Sequence, residues 1–174
     1  MLVGASEGWI VAQDIARAGV PVIADALDDL PSSFEQLGAT QSNVGRMSDA
    51  GVKVAIGRLS GTTDGHPRSA AQFAGNLVAL NKVPRASGLT WGEALASITS
   101  IPAEIAGHKG KFGVIAKGAT ADLVIWDGDP LEVTTAPTRV FIDGVEQPLT
   151  SHQTELAKRY RDLDESTLPK AYDW

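Results

Sequence analysis

Cysteine is absent from all 174 residues. That absence removes disulfides, thiolate nucleophiles and Cys-ligated zinc or iron–sulfur sites together. Histidine is nearly as scarce, with three copies, His66, His108 and His152, none of them in a His-x-His pair. Basic charge is also short: 15 Lys and Arg stand against 21 Asp and Glu, a formal net charge of −6. Nucleic-acid binding needs a basic stripe, so no nucleic-acid partner is expected. Apolar runs such as Val20-Pro-Val-Ile-Ala24 fall far below the roughly 20 residues of a membrane span. No membrane association is expected, and a mildly acidic soluble protein, cytoplasmic by default, is the expectation. The first residues carry no basic stretch followed by a long apolar one, as a signal peptide would. Equally missing are a Gly-x-Ser-x-Gly elbow, a P-loop lysine and a dinucleotide Gly-x-Gly-x-x-Gly. Gly107-His-Lys-Gly-Lys-Phe-Gly113 is rich in glycine and lysine but lacks the GK[ST] ending of a phosphate loop.

What is present has the rhythm of βα units. Ser6 is placed to cap a helix over residues 7–18, with Trp9, Ile10, Ala12, Ile15 and Ala16 near helical spacing and Gly19 as its stop. Residues 20–24 form a short buried strand. Pro31 suits the first turn of a helix over residues 32–37. A further helix over residues 43–50 ends at Gly51 and leads into an alternating strand, Val52-Lys-Val-Ala-Ile56. Helix and strand in alternation imply a parallel sheet. The loop from Gly57 to Pro67 then follows a strand's C-terminal end, where α/β barrels keep their chemistry.

Helices are expected over residues 68–80, over 91–97 with Thr90 and Glu93 as a capping box, and over 101–106. Near residues 107–111 the helical rhythm gives way to glycine-spaced strands, at about 121–126 and 139–142, with Asp143-Gly144 as a tight turn. A charged amphipathic helix over residues 151–163 closes the chain. Three parts are therefore expected: residues 1–107, 108–149 and 150–174. No internal repeat is visible.

Gly113-Val-Ile-Ala-Lys-Gly-Ala-Thr-Ala-Asp-Leu-Val-Ile-Trp-Asp-Gly-Asp-Pro-Leu131, followed by Arg139-Val-Phe-Ile-Asp-Gly144, resembles the C-terminal part of amidohydrolase-superfamily enzymes of the imidazolonepropionase-like and prolidase-like kinds. The resemblance extends upstream. Val20-Pro-Val-Ile23 and Val52-Lys-Val-Ala-Ile56 look like the seventh and eighth barrel strands, and Pro102-Ala-Glu-Ile-Ala-Gly107 like the family's packing run. Thr150-Ser-His-Gln-Thr-Glu-Leu-Ala-Lys-Arg-Tyr160 is similar to the ending of the prolidase-like subgroup. The implied fold is α/β, a partial (β/α) barrel comprising the last βα units of a TIM-type barrel, then a small β-segment of a composite β-domain, then the C-terminal helix. Met1 standing directly before a strand-to-helix turn matches a reading frame that starts partway into a longer enzyme, and a natural short protein would have the same look.

The resemblance also implies a chemistry. Such enzymes hydrolyse amide, ester or related C–N and C–O bonds with water activated by one or two divalent metals, normally zinc. Their ligands include a His-x-His pair on the first strand, further histidines on middle strands, and an Asp after the eighth. Here the matching carboxylate is Asp64 in Gly61-Thr-Thr-Asp-Gly-His-Pro-Arg68; a gapless alignment through Ala55-Ile-Gly57 would place the position on Leu59 instead. Asp64 and His66 are the candidate catalytic and metal-binding residues, with Arg68 facing substrate. One copy of this sequence lacks the other histidines, so a site needs completion by a second copy or by an N-terminal barrel half. The alternatives are a reduced, metal-free site using carboxylate and histidine acid–base chemistry, and a non-catalytic remnant serving as a structural or interaction module. An unclosed barrel piece exposes a sheet edge and an apolar face, so self-association is expected.

Other polar residues have structural expectations. His108 belongs at a helix C-terminus and His152 in an exposed capping turn; Asp127 and Asp129 suit Asx-turns. Asp122 should accept from backbone amides, and Glu7 should favour the positive end of a helix dipole. Trp9, Trp91 and Trp126 are expected in the core.

Overall fold

The computed structural model describes residues 1–31, 33–57 and 69–161. Its first layer is a parallel sheet of β1 (Leu2–Gly4), β2 (Val22–Ala24) and β3 (Val54–Ile56) in that order. The register aligns Leu2 with Val22 and Val54, and Gly4 with Ala24 and Ile56. Between β1 and β2 the chain makes a 3₁₀ turn, Gly8–Val11, that runs into α1 (Ala12–Arg17). Between β2 and β3 come a second 3₁₀ turn, Phe34–Gln36, and α2 (Asn43–Asp49). The parallel pairing inferred from the βα rhythm is therefore present.

Alternation along a strand sends neighbouring side chains to opposite faces. Val22, Ala24, Val54 and Ile56 share one face and join a buried cluster with Ala12, Ile15, Val44 and Met47. On the other face lie Val3, 55% exposed, Ile23, half-buried, and Ala55, buried. Next come α3 (Ala70–Ala79), prolonged by a 3₁₀ turn at Leu80–Lys82, then α4 (Trp91–Ile98) and α5 (Ser100–Ile105). Ala74, Leu77 and Ala94 carry α3 and α4 into the same cluster.

Two expectations about these helices are corrected. Residues 7–18 are not one helix: Val11, at φ −115°, separates a 3₁₀ turn from α1, and no side chain caps either start. The cause is tertiary. Gly8 presses against Met47, where a Cβ would lie 2.5 Å from the thioether sulfur, and Glu7 accepts a hydrogen bond from the Gly38 N–H. Likewise only Phe34–Gln36 of the expected 32–37 helix turns, with Phe34 and Leu37 facing solvent and leaving no apolar stripe to bury; Ser32 lies outside the described residues.

The capping box on α4 is complete. Thr90 accepts from the Glu93 N–H at 3.3 Å while the Glu93 carboxylate accepts from the Thr90 N–H at 2.8 Å, and the Thr90 hydrogen bonds hold that carboxyl below its usual range. Thr90→Ala is expected to cost about 1 kcal/mol, measured as a lower urea midpoint with unchanged slope. At the other end of this layer, Gly107 at φ +82° closes α5, and the His108 N–H returns 2.8 Å to the Ala103 carbonyl. This is the Schellman pattern, in which the residue after the αL glycine donates back to the last turn. Glu104 on α5 accepts from Lys53 at 2.7 Å and Lys109 at 3.0 Å, tying the helix to the start of β3, and those lysines lower its pKa.

The second sheet is antiparallel: β4 (Leu123–Trp126), β5 (Pro137–Ile142) and β6 (Val145–Gln147). Asp143 at φ +50° and Gly144 at φ +76° make the β5–β6 turn, the two positive φ values that a twisted hairpin favours. α6 (His152–Arg159) follows, with His152 exposed. The loop between β4 and β5 anchors this sheet: Leu131 joins the buried cluster, and the Trp91 indole donates to the Asp129 carboxylate at 2.9 Å. Trp91 is thus no core residue but 44% exposed, because its N–H has found a surface partner. Trp9 and Trp126 are half-buried rather than buried. Among the described residues, no helix is long and apolar enough to cross a membrane.

Candidate functional site

Because β1, β2 and β3 are parallel and in register, Gly4, Ala24 and Ile56 end at one edge of the sheet. The loops leaving that edge are where an α/β protein places its chemistry. Three loops leave it: residues 5–7 after β1, residues 25–33 after β2, and the stretch beginning at Gly57 after β3. Asp64, His66 and Arg68 belong to the third, and they lie outside the described residues.

The first loop is held firmly. Ala5, a non-glycine residue at φ +51°, turns the chain, and its carbonyl accepts from Gly8 N–H at 2.8 Å and from the Asn43 side chain at 2.9 Å. Glu7 does not serve a helix dipole as expected. Its carboxylate is spent on the Gly38 amide of the next βα connection. Trp9 completes the junction: its indole N–H donates to the Gly38 carbonyl at 2.7 Å, and the Arg46 guanidinium carbon sits 4.4 Å from its ring centroid.

The second loop is acidic. Asp28 is pushed above its usual range, first by burial and then by repulsion from Asp25 and Asp29. A carboxyl raised in the fold binds its proton more tightly there than in the unfolded chain. The stability it lends is full below the ordinary value of 3.8 and is lost as pH rises through the folded value. Asp29 meanwhile accepts from the Gln41 side chain at 2.8 Å.

The remaining sequence candidates are placed elsewhere. His108 stacks edge-on against Phe112 at 5.2 Å beyond α5, and His152 begins α6. Asp127 accepts from Ala136 N–H at 2.8 Å, Asp129 from Leu131 N–H at 2.9 Å, and Asp122 from Asp143 N–H at 2.8 Å. Asp129 makes the expected Asx-turn and Asp122 accepts from a backbone amide as expected, whereas Asp127 makes no local turn but bridges the β4–β5 connection nine residues away. Among the described residues, no three His, Asp or Glu side chains converge as metal ligands. These residues by themselves do not fit a divalent metal centre.

The sequence pattern of the amidohydrolase family matches residues 12–146. The chain belongs to the amidohydrolase family. An amidohydrolase of Hapsidospora irregularis, TasK, is 48% identical over 60 residues, which is 34% of this chain and 6% of that protein. The imidazolonepropionase of Chromobacterium violaceum is 36% identical over 114 residues, 65% of this chain and 25% of the relative. Among solved structures, an amidohydrolase from Thermotoga maritima superposes with a TM-score of 0.69 at 25% identity, covering 83% of this chain and 35% of that one. A prolidase in complex with N-methylphosphonate-L-proline superposes at 0.56 with 26% identity, covering 80% and 37%. This amidohydrolase chain therefore spans a minor part of each relative's length. Its α/β architecture and its membership of a hydrolase family stand together.

Proposed function

We propose that this chain forms the closing βα units of a (β/α) barrel and contributes to hydrolysis of an amide, ester or related C–N or C–O bond, in a site that another chain completes. One observation carries the reading. The parallel sheet is packed by helices on the face of Val22, Ala24, Val54 and Ile56; on the opposite face Ala55 is buried and Ile23 half-buried, but Val3 is 55% exposed, and β1 has no outer neighbour among the described residues. Parallel sheets are covered on both faces, so the exposed end of the second face calls for a partner surface. A second copy of the chain is the partner proposed; an N-terminal half bearing His-x-His is the other source of the same surface. On this reading residues 1–107 are the barrel part, 108–149 the β-segment and 150–174 the tail.

The loop after β3 carries the chemistry proposed for this chain. Asp64 is proposed to take the proton of the attacking water with His66 as its catalytic partner, and Arg68 to face the substrate. A divalent metal, zinc in the first instance, would supply water activation, with Asp64 and His66 as this chain's share of its ligands. The substrate class follows the relatives: an N-acyl-L-proline is the first amide to try, because a prolidase holds a phosphonate analogue of that kind.

A second reading makes the chain a barrel remnant kept as a structural or interaction module. Hydrolysis of N-acetyl-L-proline and p-nitrophenyl acetate by the full chain, with and without added zinc, separates the two. Asp64→Ala is expected to lower kcat/KM about a hundredfold; equal rates in both proteins would remove Asp64 from the mechanism.

A further inference from the structure

One buried side chain joins the loop after β1 to the helix that follows β2. Asn43, 3% exposed, opens α2. Its amide nitrogen donates 2.9 Å to the Ala5 carbonyl, and its amide oxygen accepts 2.9 Å from the Trp9 N–H. Both bonds leave its own helix, reaching back 38 and 34 residues. Between these two points lies Glu7, whose carboxylate meets Gly38. Ala5 holds a left-handed conformation that L-residues adopt only where neighbouring contacts over-determine it. The Asn43 amide is one of two donors on its carbonyl, and the Gly8 N–H is the other.

We propose that Asn43 is a positioning residue for the reaction edge: its two hydrogen bonds set the loop from Ala5 to Trp9, and through it the Glu7–Gly38 bond that ties this loop to the next connection, at the strand ends where substrate is to bind. The inference rests on the hydrolytic reading above. An amide suits this task where other side chains do not, because it supplies one donor and one acceptor from a single rigid plane. Aspartate is nearly isosteric but ionised, and it turns an acceptor toward the Ala5 carbonyl.

The test uses the full chain as wild type, Asn43→Ala and Asn43→Asp, with amide protection factors by NMR and hydrolysis of p-nitrophenyl acetate. Asn43→Ala should lower protection at the Trp9 and Gly38 amides about tenfold and cut kcat about tenfold with KM unchanged, since small misplacements of reacting groups cost rate rather than binding. In Asn43→Asp the loss of protection should reverse between about pH 7 and pH 4, as the carboxyl gains the proton that restores its donor. Amides of β2 and β3 should keep their protection throughout. Unchanged protection at Trp9 and Gly38, a pH-independent Asn43→Asp, or an equal loss across β2 and β3 would each overturn the positioning role. Wild-type hydrolysis with kcat intact in Asn43→Ala overturns that role alone, whereas a wild type without hydrolysis overturns the functional reading on which it stands.

Discussion

Leu77→Ala should lower the free energy of unfolding by about 3–5 kcal/mol, a large share of the 5–15 kcal/mol that holds a typical domain together. Leu77 is fully buried on α3, in the cluster that also holds Val22, Val44, Met47 and Val54. Its carbonyl accepts the Leu89 N–H at 3.0 Å and lies where a side chain on Gly88 would strike it. The backbone around the site is therefore pinned and collapses poorly onto a cavity, which puts the cost toward the upper end. Urea unfolding gives the number. Val124→Ala, at a 46% exposed position on β4, should change it by about 0.5 kcal/mol or less. Similar losses for both variants would show that the parallel layer has no rigid core.

Gly113→Ala should be nearly as damaging, by about 3 kcal/mol or more, and for a different reason. Gly113 sits at φ +69°, and a Cβ there would collide with the backbone carbonyl of Thr99, at the junction of α4 and α5. Left-handed strain and backbone overlap add at one atom, so relief requires the segment leading to β4 to lift off the helices. Gly118 provides the control within the same stretch. It has φ +88° and open space around its missing Cβ, so Gly118→Ala should cost only the left-handed penalty, about 1–2 kcal/mol. Thermal unfolding of the two variants side by side distinguishes a docking glycine from a turn glycine. Equal costs would mean that Gly113 does not dock the β-segment.

That contrast shows how far the sequence reaches. Gly113 and Gly118 stand in one recognisable motif and look alike, because a sequence records that glycine is required but not which neighbour requires it. The strands at Val22 and Val54 were legible from their β-branched apolar residues, the α4 start from Thr90 and Glu93, and the β5–β6 turn from Asp143-Gly144, all features whose cause is local. The 3₁₀ turn at Gly8–Val11 was not, since helical spacing there is overridden by contacts with Met47 and Gly38, distant in sequence. Trp91 counted as apolar by its ring, while its N–H, which decides its exposure, depends on Asp129 two elements away. At the candidate site the edge of the sheet was legible as the stretch after the last strand, and the Asx-turn of Asp129 followed from its glycine and proline neighbours, while the reach of Asp127 to Ala136 was not legible because its partner is nine residues away. Asn43 left no local trace, because both its partners lie more than thirty residues earlier.

The exposed Val3 end of the parallel sheet calls for a partner, and sedimentation velocity of the full chain at micromolar concentration tests that directly. Association through that end should give a species at a multiple of 18.2 kDa, and Val3→Glu, which sets a charge there, should return it to the single-chain mass. A compact species of 18.2 kDa for the wild type across that range would contradict the proposal that a second copy closes the barrel.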